Sequence, residues 1–124
     1  MKAHFILYVN DQVRATAFYS QVLDRGPRLD VVGMTEFELG EGAVLGLMPL
    51  DGASRLLGRE LTESTRPNEC AELYLVVNDP QAYHIRAISA GGTEISPLAL
   101  RDWGHEAAYS ADPFGTILAF AREV

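Results

Sequence analysis

The ionisable residues with the most suggestive placement open two near-copies of one short stretch. His4 begins HFILYVND and Glu72 begins ELYLVVND. A His beside a carboxylate can move protons near neutral pH, and the same two groups can contribute to a divalent-metal site. A catalytic divalent ion normally takes at least three protein ligands and keeps a position open. His4 and Glu72 supply two, and Glu36, Glu38 and Glu41 belong to a different strand or turn. A direct His4–Glu72 contact is therefore expected ahead of a metal. The plainer alternative for His4 is a strand-end residue satisfied by one hydrogen bond. Cys70 is the single cysteine, so no intrachain disulfide is possible. It has neither a GxCxG-like turn nor an activating His beside it, and reads as a small core or edge residue. His84 falls in a helical pattern with a polar or boundary role, and His105 in a surface loop.

Strand alternation sorts the neighbours of these groups by face. His4, Ile6 and Tyr8 share one face of the first strand, and Glu72, Tyr74 and Val76 share the matching face of its copy. The opposite sets, Phe5, Leu7, Val9 and Leu73, Leu75, Val77, are apolar throughout and are expected to carry helices. Val44, Gly46 and Met48 should join the first face, as should Ile117, Ala119 and Ala121. The expected ligand-binding set is His4, Ile6, Tyr8, Phe37, Gly46, Met48, Glu72, Tyr74, Trp103 and Ala119. Apolar surface mixed with phenols and ionisable groups is the composition of a cavity that holds a flat organic molecule. For each tyrosine the competing reading is ordinary core.

The elements that would position this set follow from local signals. Phe5–Val9 is a compact β-type run, and Asn10-Asp11 offers a helix N-cap. Val13, Ala17, Phe18 and Val22 recur at helical spacing until Asp24-Arg25-Gly26-Pro27. There Gly26 is expected to turn left-handed and Pro27 to block continuation. Strands are expected at Leu29–Val32, Glu36–Leu39 and Ala43–Met48, with a turn at Gly40-Glu41-Gly42. Residues 50–69 form a polar connector punctuated by Asp51-Gly52, Gly58, Ser64 and Pro67-Asn68, with one helical turn at Ser54–Leu57. The pattern then repeats: strand Leu73–Val77, the cap Asp79-Pro80, a helix carrying Ala82, Ile85 and Ile88, and a stop at Gly91-Gly92. Strands at Thr93–Leu98, Glu106–Ala111 and Thr116–Ala121 follow, the last two joined by the turn Asp112-Pro113-Phe114-Gly115. Gly42–Leu47 overlays Gly115–Phe120. The expectation is an α+β fold of two tandem βαβββ modules, 1–49 and 70–124, forming a single domain with the connector 50–69.

Composition limits what such a fold would do. The chain has 124 residues, 48% of them hydrophobic, and a formal net charge of −7. Its ten Lys and Arg are scattered, so no nucleic-acid surface is expected. No apolar run approaches the roughly 20 residues of a membrane helix. The opening MKAHFILYVNDQ lacks a long apolar stretch before a small-residue cleavage site, so no secretion signal is expected, and a cytoplasmic location fits.

The ordered set of His4–Asp11, Phe18-Tyr19, Val22-Leu23, Val77-Asn78-Asp79, Gly91-Gly92, Trp103-Gly104 and Asp112–Gly115 resembles the vicinal oxygen chelate superfamily. That group contains glyoxalase I, bleomycin-resistance proteins, fosfomycin-resistance enzymes and extradiol dioxygenases. The resemblance implies two modules whose sheets curl around a shared cavity, and a homodimer. It also implies that metal-dependent members place ligands at the start of each module's first strand and within each module's last strand. Carried onto this chain, those positions are His4, Gly46, Glu72 and Ala119, of which Gly46 and Ala119 have no donor. The resemblance further implies that the Trp103-Gly104 pair lies beside the binding groove. The expected protein is thus a small-molecule binder of the bleomycin-resistance type, with no catalytic set, metal or cofactor. The alternative is a metal-dependent glyoxalase-like lyase or isomerase, or a dioxygenase. Metal-free acid-base catalysis by His4 and Glu72 ranks below both.

Overall fold

The computed structural model describes residues 2–62 and 71–124. In chain order its elements are β1 (Ala3–Val9), α1 (Gln12–Leu23), β2 (Leu29–Val31), β3 (Met34–Gly40), β4 (Ala43–Pro49), α2 (Leu50–Leu57), β5 (Glu72–Val76), α3 (Pro80–Ser89), β6 (Thr93–Leu100), β7 (His105–Ala111) and β8 (Ile117–Glu123). Both βαβββ modules are present. Cys70 and the connector's Ser64 and Pro67-Asn68 lie outside the described residues.

Asp11 and Asp79 start the two longer helices in the same way. Asp11 Oδ1 accepts the Arg14 amide at 3.0 Å, and Asp79 Oδ1 accepts the Ala82 amide at 3.1 Å. Each satisfies an amide that a first helical turn leaves without an intrahelical partner. Pro80 follows Asp79 at the first helical position, where its missing N–H costs nothing. The residue that ends α1 is not the expected one. Asp24 takes the left-handed conformation at φ 54°, and Gly26 does not. Asp tolerates this region because its short polar side chain can bond locally. At the end of α3 glycine is required sterically. A Cβ on Gly92 would lie 2.8 Å from the Ala87 carbonyl oxygen and 3.0 Å from that of Ala111. The connector begins with more helix than its composition foretold. Leu50 and Ala53 bury one side of α2, and Gly58 closes it in a left-handed cap.

The strands form two sheets of four, ordered β1-β4-β3-β2 and β5-β8-β7-β6. In each, the first strand runs parallel to the last and the remaining neighbours are antiparallel. By contact the chain divides into two compact units, Met1–Ser20 with Asp24–Pro67, and Gln21–Leu23 with Asn68–Val124.

In the first unit, Leu45 and Leu47 of β4 lie in register with Phe37 and Thr35 of β3 and with Phe5 and Leu7 of β1. Thr16 of α1 reaches Thr35 Oγ1 at 2.9 Å, which identifies this as the helix-bearing face. Phe37 is therefore core, at 0% exposure, and not on the ligand face where it was expected. The register explains the difference: Phe37 pairs with Leu45, one residue away from Gly46, and a one-residue step changes face. Phe5 shares the helix-bearing face yet is 49% exposed.

In the second unit, Tyr83 of α3 packs on Phe120 of β8 with ring centroids 5.7 Å apart. His84 is buried on the same helix, its Nε2 3.3 Å from Glu94 Oε1. The β7–β8 turn is organised by one buried carboxylate. Asp112 Oδ1 accepts the amides of Phe114 at 2.9 Å and Thr116 at 2.7 Å. Removing it leaves two turn amides without their acceptor. Asp112→Ala should cost about 2 kcal/mol, since a hydrogen bond to a charged group contributes about 1.5–3 kcal/mol. Urea unfolding should show a lower midpoint with an unchanged slope; an unmoved midpoint would show that the turn does not depend on this carboxylate.

Candidate functional site

The face of each sheet away from its helix carries the expected site residues other than Phe37, which is core, and Trp103, which lies in the turn before β7. In the first unit it holds His4, Ile6 and Tyr8 opposite Val44, Gly46 and Met48, with Glu36 and Glu38 completing two cross-strand rows. His4 Nδ1 lies 3.5 Å from Glu36 Oε2. A carboxylate beside His4 within its own sheet is thus Glu36. Arg28 donates to Glu36 Oε1 through Nε at 3.0 Å and Nη2 at 2.9 Å, and to Glu38 Oε2 through Nη1 at 2.8 Å. The hydrogen bond to Glu36 is the leading cause that holds the Arg28 guanidinium above its ordinary range. Sequence reading missed Arg28, because only the β2–β3 register brings it beside two glutamates. The signal was the Glu36/Glu38 alternation.

Gly46 was expected to leave room, and that space is filled. A Cβ on Gly46 would overlap Ile6 Cδ1 and come within 3.2 Å of Met34 Sδ. Apolar side chains therefore cover the place where a longer residue would begin.

In the second unit the matching face holds Glu72, Tyr74 and Val76 of β5, Ile117, Ala119 and Ala121 of β8, and Ala107, Tyr109 and Ala111 of β7. The row lets Tyr74 stand beside alanines that cannot crowd it. Tyr74 Oη is 2.8 Å from His105 Nδ1 and accepts the Trp103 Nε1 proton at 2.9 Å. Trp103 is 55% exposed, so this single bond orients an indole that solvent would otherwise leave free. His105 opens β7 rather than sitting in a surface loop. Its contact with Tyr74 was missed in the sequence, because the Trp103-Gly104 turn returns the chain to the sheet one residue earlier than expected.

Tyr109 is the other perturbed group. Burial, then the charge of Glu72, pushes its phenol above the ordinary value of 10.0, with Tyr74 adding to the rise and Arg101 opposing it. The Arg101 guanidinium lies 5.2 Å from the Tyr109 ring centroid. Glu72 thus acts electrostatically on a phenol of its own sheet.

The resemblance-derived metal positions do not fit a divalent ion. Gly46 and Ala119 offer no donor, Glu36 is engaged by Arg28, and each unit supplies only one donor at those positions. Among the described residues, no three His, Cys, Asp or Glu side chains form a group that could hold a metal.

Two mixed four-stranded sheets, each built from a βαβββ module with one helix-free face, define an α+β tandem-module fold. A family model, the Glyoxalase/Bleomycin resistance protein/Dioxygenase superfamily, matches residues 3–120, and the chain belongs to that superfamily. Among curated proteins none matches. A glyoxalase-related enzyme from Fulvimarina pelagi is 21% identical with a TM-score of 0.86, covering 99% of this chain and 88% of that chain. A glyoxalase/bleomycin resistance protein/dioxygenase family enzyme from Burkholderia phytofirmans PsJN is 18% identical with a TM-score of 0.81, covering 98% and 97%. A glyoxalase/bleomycin resistance protein from Albidiferax ferrireducens T118 is 21% identical with a TM-score of 0.73, also covering 98% and 97%. At these identities the likeness shows the fold alone. No helix among the described residues is long and apolar enough to cross a membrane.

Two outcomes test this geometry. Gly46→Ala should destabilise by about 1–2 kcal/mol, the usual cost of overpacking, with Ile6 forced from its rotamer. Combined with Ile6→Ala, the double variant should be more stable than the sum of the two single losses; strict additivity would mean that the two residues do not compete for space. For Tyr109 the folded value lies above the unfolded one, so its contribution is complete below pH 10 and is lost as pH rises through the folded value. Glu72→Gln should lower the pH at which Tyr109 ionises and lessen the alkaline loss of stability. Tyrosinate absorbance, with Tyr109→Phe to assign the step, reads this out, and an unmoved titration would remove Glu72 as a cause.

Proposed function

We propose that this protein binds a small planar molecule without a metal, sequestering a drug or metabolite in the manner of a bleomycin-resistance protein. The observation that carries the reading is Trp103, exposed yet held by Tyr74 on the helix-free face of the second sheet. A fixed aromatic surface loses little freedom when a flat ligand stacks on it, so more of the stacking energy appears as affinity. In the same proposal His4, Ile6, Tyr8 and Met48 are ligand-facing residues of the first sheet, and Glu72 and Ala119 of the second. The chain's charge of −7 and the Glu72 carboxylate favour a ligand that is not anionic. A cytoplasmic location and a homodimeric state complete the reading, supported by the single cysteine and by family resemblance.

Elemental analysis and thermal denaturation test it together. The protein should carry well under one divalent ion per chain, and added Mn, Fe, Ni, Co or Zn should not raise Tm. Proflavine, a planar cation, should raise Tm and quench the fluorescence of Trp103, the chain's single tryptophan. One tightly bound divalent ion per chain would instead favour a glyoxalase-like lyase or isomerase, or a dioxygenase, with ligands from outside the four positions.

A further inference from the structure

The hydrogen bonds around Tyr74 leave few places for the protons. Trp103 Nε1 can only donate, so the bond at 2.9 Å makes Tyr74 Oη an acceptor there. The phenol keeps one proton of its own, and His105 Nδ1 lies 2.8 Å away. If the imidazole donated through Nδ1, Oη would take two donors and its own proton would find no protein acceptor among the described residues. The satisfied arrangement runs Trp103 to Tyr74 to His105, with the phenol proton directed at Nδ1. A neutral ring that accepts at Nδ1 carries its proton on Nε2. Among the described residues Nε2 makes no hydrogen bond, and it is not a buried orphan atom.

From this geometry we infer that His105 Nε2–H is the donor that reads a ligand carbonyl oxygen, and that the ligand is a planar aromatic carbonyl compound without negative charge. The inferred tautomer and two observations point to that class. The donor is a neutral N–H, which suits a carbonyl acceptor. The Trp103 indole beside it offers a flat surface. Glu72, close enough to perturb Tyr109 on the same face, disfavours a carboxylate. Tyr74 is then a positioning residue, because it sets the tautomer of His105. The inference rests on the binding reading above and specifies its ligand.

Two-bond proton–nitrogen NMR of the histidine rings tests the tautomer in the unmodified protein. His105 should show an unprotonated Nδ1 and a protonated Nε2, and the reverse pattern would overturn the inference. Calorimetry with naphthalene-2-carboxamide and with 2-naphthoate tests the ligand class. The amide should bind about tenfold more tightly than the carboxylate, and His105→Phe should cost the amide about tenfold. Tyr74→Phe should weaken amide binding while mixing the two His105 tautomers, which a purely structural loss would not do. If proflavine binds and quenches Trp103 while amide and carboxylate do not differ, the inference falls and the binding reading stands. If neither proflavine nor the amide binds, both fall.

Discussion

In each sheet the parallel pairing of the first strand with the last decides which side chains meet. Ile6 stands opposite Gly46, and Tyr74 opposite Ala119. With side chains alternating at a period of two, a slip of one residue in either pair would send every polar residue of the helix-free face into the helix-bearing core. The buried apolar residues make such a slip costly. Leu45, Leu47, Leu118 and Phe120 are almost wholly removed from water, and each occupies the helix-bearing face. The burial of these residues thereby aims Tyr74, Glu72 and His4 at the other face.

The two copies then use that face differently. In the first, a guanidinium joins two glutamates beside a histidine, and an isoleucine fills the space above the glycine. Charge there is largely compensated within the sheet, and exposed pairs of this kind contribute little to stability. In the second, the alanine floor leaves space that phenols and an indole occupy at their polar edges. The neighbouring carboxylate, Glu72, makes itself felt on Tyr109. Two copies of one backbone plan thus carry an ionic cluster in the first unit and the hydrogen-bonded set Trp103, Tyr74 and His105 in the second.

The repeat, the caps and most strands were legible in the sequence because each depends on neighbours a few residues away. Asp11 and Asp79 sit next to the amides they cap, and Asp112 lies two residues from Phe114. The facing of His4, Ile6, Gly46, Tyr74 and Ala119 followed from alternation alone. Phe37 failed the same reasoning, since it lies on a strand whose register is set across the sheet by Leu45. The contact of His4 with Glu36 was not legible either, because Glu36 reaches it through two strand pairings rather than along the chain.

By itself the sequence determined the doubled βαβββ plan, the helix starts and the absence of donors at Gly46 and Ala119. These are properties of residue type and short spacing, which no packing can alter. Only the tertiary structure decided that Ile6 and Met34 cover Gly46, that Arg28 engages Glu36, and that Tyr74 meets Trp103 and His105, 29 and 31 residues further along the chain. Such contacts depend on register and on side-chain reach between strands distant in sequence. Local chemistry cannot specify them until the cores have fixed which strands are neighbours.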